Sequence, residues 1–176
     1  MDPLRPGRGL ADLLPEELKA SGAHGVMLNH AERPVTFAVL EKSIARAREV
    51  GLFTIVCASS IAEIKAIALL APDIIVAEPT ELIGTGTTSD LSYMQASKDA
   101  VASIDPRILV LQGAGISCAD DVERVISAGA DATGSSSAIA LARNRPALVE
   151  QMLAAVRRGW DTRMNTHQPM KKEQPA

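Results

Sequence analysis

Two rhythms of apolar and polar residues take turns along this chain. Short apolar runs of strand length, "GVMLN" (25–29), "LFTIVC" (52–57), "DIIVAE" (73–78) and "RILVLQ" (107–112), each end at polar or reactive residues. Between them lie longer stretches with apolar residues three and four apart, the mark of a helix with one buried stripe. Phe37, Leu40, Ile44 and Val50 form such a stripe in 36–51, which Gly51 stops. Further helices are predicted over 61–71, with Ser60 as N-cap and Pro72 beyond its end, and over 89–104, capped by Ser89 or Asp90. The same pattern predicts helices at 118–129, 136–143 and 146–160, a short leading helix at 15–22 and a weak fifth strand at 130–134. The charged run at 41–49 reads as a solvated helix face. From Asp161 the chain turns polar and Pro/Lys-rich, so residues 1–160 are expected to form one domain and 161–176 a disordered tail.

The strands are continuously apolar rather than alternating, which predicts parallel strands with both faces covered. Strands separated by helices are βα crossover units, so the fold class is α/β, with five βα units after the leading helix. Two architectures fit: an open doubly wound sheet, or part of a (β/α)8 barrel. Composition agrees. Of the 176 residues 47 % are hydrophobic but only 2 % aromatic, so the core is aliphatic, which suits α/β layers better than an aromatic-rich sandwich. The net charge of −3 argues against a nucleic-acid partner. No apolar run reaches the ~18 residues of a membrane span, and "MDPLRPGRG" has no apolar stretch of the kind a secretory signal carries. Cys57 and Cys118 are far apart and outside any CxxC, so they are expected to be free thiols in a reducing cytoplasm.

In either architecture ligands bind at the C-terminal ends of the strands, and here each end carries useful groups. The first strand ends in Asn29, His30 and Glu32, the second in Cys57-Ala58-Ser59-Ser60, and the third in Glu78. The fourth ends in "GAGIS" (113–117) and the fifth in "GSSSA" (134–138). Gly113 and Gly115 let backbone amides approach an anion, and Ser136 and Ser137 stand where a helix begins, with free amides. Desolvation at the mouth could raise Glu78 towards a general base's working range. Neutral His30 could donate to a substrate oxygen. Pro79 and Gly84-Thr85-Gly86 would bracket a loop able to close over the site. Each feature alone has a plainer reading: Glu78 as a loop ion-pair partner, His30 as a structural side chain, "GAGIS" as a βα turn, "GSSSA" as a helix cap, the cysteines as incidental thiols. Their succession on consecutive strand ends raises the functional reading.

The motifs "NHAER" (29–33), "VCASS" (56–60), "AEPTELIGTG" (77–86), "GAGIS" and, more weakly, "GSSSA" together resemble triosephosphate isomerase of the shorter archaeal type, over about residues 2–160. The resemblance implies an incomplete TIM (β/α)8 barrel holding strands four to eight of the family. It implies that Glu78 moves a proton between two substrate carbons while His30 polarises the carbonyl and shuttles protons between oxygens. That pairing is taken from the family, itself a standard illustration of a Glu base beside a neutral His. It further implies that residues 79–86, Gly84 included, form the closing lid. Gly113, Gly115, Ser136 and Ser137 would bind the substrate phosphate, with Asn29, Glu32 and Cys57 supporting. The substrate would be a small phosphorylated triose, glyceraldehyde 3-phosphate or dihydroxyacetone phosphate. No cofactor and no metal are implied, the setting is glycolysis and gluconeogenesis, and a homo-oligomer is expected. Ala31 stands where the family usually has serine.

One departure is large. The family's first three strands, with an Asn-x-Lys motif that neutralises substrate charge, have no counterpart here. Losing such a preorganised charge costs on the order of 10²–10³-fold in rate, which puts the activity of the chain itself in question. Five strands cannot close the barrel, so exposed edges and an open apolar interior are expected, with aggregation or dimerisation as the result. Met1 is accordingly expected to be an internal methionine of a longer reading frame. Two other functions compete: a truncated barrel binding phosphate metabolites or a partner chain without turnover, and another phosphate-binding (β/α)8 enzyme such as an aldolase. No predicted strand contains or ends in lysine, which argues against a Schiff-base aldolase.

Overall fold

The computed structural model describes residues 1–7, 9, 13–79 and 89–166. Its elements alternate as the pattern predicts. Helix α1 (Pro15–Ala20) precedes strand β1 (Gly25–Leu28), and helix α2 (Phe37–Glu49) leads to β2 (Phe53–Ala58). Helix α3 (Ile61–Ala68), β3 (Ile74–Ala77), α4 (Leu91–Ala102) and β4 (Leu109–Gln112) follow. The chain continues through α5 (Ala119–Ser127), the short β5 (Ala132–Thr133), α6 (Ser137–Leu141) and α7 (Arg145–Thr166). All strand pairings are parallel, and the strands lie in the order β1-β2-β3-β4-β5. Local chemistry sets several helix starts. Thr36, Ser60 and Asp90 each accept from a backbone N–H of the first turn: Val39, Glu63 and Tyr93 respectively.

Helices cover one face of the sheet. Val26, Leu28, Val56, Ala58, Ile75, Ala77 and Val110 point into a core completed by Leu40, Ile44, Ala47, Ile64, Ile67, Ala100 and Val101. The other face is bare in its lower half. Met27, Ile55, Ile74 and Leu109 form one lateral row across it, with Phe53 below Ile55. Met27 is 57 % exposed, Phe53 62 % and Leu109 47 %. A doubly wound sheet would carry helices there, whereas a barrel would point this face inward. The structure therefore decides between the two architectures: one open five-stranded sheet with a single helical layer, an arc of a TIM barrel. The open apolar interior expected of five strands that cannot close a barrel is present. An apolar run reports the environment the strand is suited to, and here one side of it faces solvent.

Two other expectations change. The 41–49 face is not wholly solvated, because Arg46 has a side chain only 7 % exposed. It is paired with Glu16 and Glu49 and donates to the Leu4 carbonyl, tying α1 and the N-terminal segment to α2. Helix α7 runs past Asp161, where a tail was expected, to Thr166. The polar residues there serve the helix: Arg157 pairs with Asp161 one turn on, and the Arg163 guanidinium lies 5.6 Å from the Trp160 ring centre. Among the described residues no helix is long and apolar enough to cross a membrane.

Candidate active site

Parity along the parallel strands brings the site together. Asn29 lies two residues beyond Met27, Glu78 two beyond Val76 and Gly113 two beyond Leu111, so all three continue the face opposite the helices. Glu78 is held there because its N–H still donates to the Ala58 carbonyl at 3.0 Å, extending the β2–β3 pairing by one residue. A cavity of about 200 Å³ opens at this end, lined by Asn29, Ala31, Pro34, Cys57, Ala58, Ser59, Glu63 and Glu78. The Glu78 carboxylate lies over Gly113: a Cβ on that residue would sit 3.1 Å from Val76 Cγ1 and 3.4 Å from Glu78 Oε1. Any side chain at 113 would crowd the carboxylate.

His30 follows Asn29, whose φ of 57° turns the chain sharply out of β1. Asn tolerates this left-handed region better than most residues. His30 Nδ1 accepts from the Glu32 N–H at 3.2 Å, and the His30 carbonyl accepts from the Arg33 N–H at 2.8 Å. An accepting Nδ1 leaves the ring proton of the neutral imidazole on Nε2. Glu32 is exposed.

Cys57 is buried beside these groups. Burial first, and then the charges of Glu78 and Glu63, push its thiol up to about 12. It is a packing residue at neutral pH, free of any disulfide, as is the exposed Cys118. The β4 and β5 ends lie close together. Ser135 Oγ donates to the Ile116 carbonyl at 2.7 Å and Thr133 Oγ1 to the Gln112 carbonyl at 2.8 Å, so the Gly-Ala-Gly turn and the serine run share one corner. Gly115 takes φ 70° in that turn, Ser136 is the N-cap of α6 and Ser137 its first residue. Of the expected lid, residues 79–86, only Pro79 is described; 80–86, Gly84 included, lie outside the described residues. The described residues hold no cluster of His, Cys, Asp and Glu arranged for a metal ion.

Sequence reasoning missed Glu63. One of its oxygens accepts from Ser59 N at 2.7 Å and Ser59 Oγ at 2.8 Å, and the other from Asn29 Nδ2 at 3.0 Å. Ser60-x-x-Glu63 has the spacing of a capping box, a signal that places the residue at a helix start but not at the cavity.

The chain is similar to known proteins. The family model described as triosephosphate isomerase matches residues 10–152. The triosephosphate isomerase of Methanosarcina barkeri is 36 % identical over 142 residues, covering 79 % of this chain and 64 % of that protein. The triosephosphate isomerase of Methanocaldococcus jannaschii is 34 % identical over 156 residues, covering 87 % and 71 %. The chain thus spans roughly two thirds of the length of these relatives. Among solved structures, the BexX/CysO complex of Amycolatopsis orientalis matches with a TM-score of 0.63 over 92 % of this chain and 64 % of that one; at 18 % identity this is a likeness of fold alone.

Proposed function

Because the chain belongs to the triosephosphate isomerase family, we propose that its strand-end cavity isomerises glyceraldehyde 3-phosphate and dihydroxyacetone phosphate. The observation that carries this reading is Glu78 at the sheet's C-terminal mouth, sharing a cavity with the Asn29 turn that delivers His30. Glu78 takes a proton from one substrate carbon and returns it to the neighbouring carbon. His30 gives its Nε2 proton to the carbonyl oxygen as the enediolate forms and takes the proton of the neighbouring hydroxyl, so one proton moves between the two oxygens while Glu78 moves the other between the two carbons. The amides around Gly113, Gly115, Ser136 and Ser137 take the phosphate. Asn29, Glu32 and Cys57 support this set, and no cofactor or metal enters the chemistry.

The bare sheet face favours a second reading, in which the chain binds a phosphate metabolite or a partner without turnover, or self-associates to cover that face. One experiment separates the two: turnover of glyceraldehyde 3-phosphate by the purified chain, with Glu78→Gln as control. The isomerase reading expects activity that falls on the order of 10³-fold in the variant. No activity in either protein, with triose phosphate still bound, selects the binding reading.

A further inference from the structure

We propose that Glu63 is a positioning residue for His30, acting through the side-chain amide of Asn29. The importance given to His30 rests on the isomerase reading; the mechanical link does not.

Asn29 is the pivot of the loop that carries His30. Its amide bonds to three different segments. Nδ2 donates to the Cys57 carbonyl at the end of β2 and to Glu63 Oε1 in the first turn of α3, both at 3.0 Å. Oδ1 accepts from the Val35 N–H at 3.2 Å, six residues on, where the loop re-enters the fold. The loop is drawn into a closed ring, with the His30 carbonyl and His30 Nδ1 bonded inside it to the Arg33 and Glu32 amides. The ring is held only while the Asn29 amide keeps its NH2 towards β2 and α3 and its oxygen towards Val35.

Of the three partners of that amide, Glu63 is the charged one. A carboxylate accepts more strongly than a carbonyl and cannot serve the amide's oxygen end, so it fixes which way the amide faces. Glu63 cannot turn away, because its second oxygen is held by Ser59 N and Ser59 Oγ. Asp121 supplies the contrast. It also accepts from a strand-end serine four residues before it, with Ser117 N at 3.0 Å and Ser117 Oγ at 2.8 Å. That device closes a helix start. Glu63 does the same and also reaches across to the end of another strand.

The test reads the His30 imidazole by nitrogen NMR on 15N-histidine protein, a readout that a general loss of packing at α3 would not shift in this way. The wild-type ring should show Nε2 protonated and Nδ1 bare. Glu63→Ala should release the Asn29 amide and move both nitrogens towards the averaged signature of a free imidazole. Asp121→Ala should leave His30 unchanged. Asn29→Gly accepts the left-handed backbone without strain and removes the amide. It should reproduce the Glu63→Ala signature, and adding Glu63→Ala to it should change nothing more. Where turnover is measured, Glu63→Ala should lower kcat on the order of 10-fold or more at nearly constant KM, as misplacement of a catalytic group does.

An unchanged His30 signature in folded Glu63→Ala would overturn the proposal. So would a wild-type ring that already averages its tautomers, or a Glu63→Ala effect that persists in the Asn29→Gly background. If Glu63→Ala does not fold, Asn29→Gly decides, and an unchanged signature there overturns the link. A wild-type chain without turnover whose His30 signature still depends on Glu63 would overturn the isomerase reading alone.

Discussion

Cys57 and Cys118 differ by environment rather than by chemistry. Cys57 lies under Glu78 and Glu63 with its thiol pushed up to about 12, whereas Cys118 stands exposed at the N-cap of α5. At pH 8 an alkylating reagent should therefore modify one thiol in the native protein and both after denaturation, as mass spectrometry would count. Rapid native labelling of Cys57 would mean that the cavity floor opens. Asp105 makes the complementary case. Two hydrogen bonds from the Arg107 guanidinium, one from its backbone N–H and the nearby charge hold the Asp105 carboxyl down to about 2. A depressed carboxylate adds stability above its unfolded value, and that contribution is lost as pH falls through the folded one. Carbon-detected NMR should find the Asp105 midpoint near 2 in the native protein, and Arg107→Ala should return it towards the ordinary carboxylate range. The same residue scale shows what a charge pattern leaves out. Arg46 and Lys42 look alike in the run 41–49, but Arg46 is buried among partners from α1, α2 and the N-terminal segment.

Between elements, close contacts carry the argument. Helices α5 and α7 pack against each other around Val125, Ile126, Met152 and Ala155. At Gly159 the helices leave no room for a side chain, since a Cβ there would stand 2.8 Å from the Glu123 carbonyl oxygen and 2.9 Å from Ile126 Cβ. Gly159→Ala gains at most about 1 kcal/mol of helix propensity but must push the helices apart, which costs about 1–3 kcal/mol. The net expectation is a lower Tm, with the loss read by thermal or urea unfolding; a rise would show that the interface gives way freely. Strand register relies on a repeated aspartate. Asp73, just before β3, accepts from Thr54 N at 2.8 Å and Thr54 Oγ1 at 2.9 Å on β2. Asp131, just before β5, accepts from Val110 N at 3.1 Å on β4. Each carboxylate pins the N-terminal end of a strand to its neighbour, so Asp73→Ala should lower stability by about 1–3 kcal/mol by leaving the Thr54 amide without its acceptor.

For the whole molecule the deciding feature is the bare face. Met27, Phe53 and Leu109 expose apolar surface on a sheet whose outer strands, β1 and β5, have no further strand beside them among the described residues. Contiguous apolar surface of this kind drives association. Sedimentation velocity should therefore show mass rising with concentration, and Phe53→Gln with Leu109→Gln should reduce it while the helical signal stays unchanged. A monomer at all concentrations would contradict this expectation.

Sequence by itself determined the order and type of the elements, because helical and strand rhythms are local and their punctuation by Ser60, Pro72, Gly51 and Asp90 is local too. It also determined that Asn29, Cys57, Glu78 and Gly113 would fall at strand ends, and it carried the family in motifs such as "NHAER" and "IGTG". Tertiary structure alone decided which side of each apolar strand is covered, since burial is set by what packs against a strand and not by its composition. Tertiary structure also decided that Arg46 is buried and that Glu63 bonds to Asn29, 34 residues away. Asn29 and Glu63 meet because parallel strands in register bring their C-terminal ends together, and Arg46 is buried because α1 and the N-terminal segment fold onto α2.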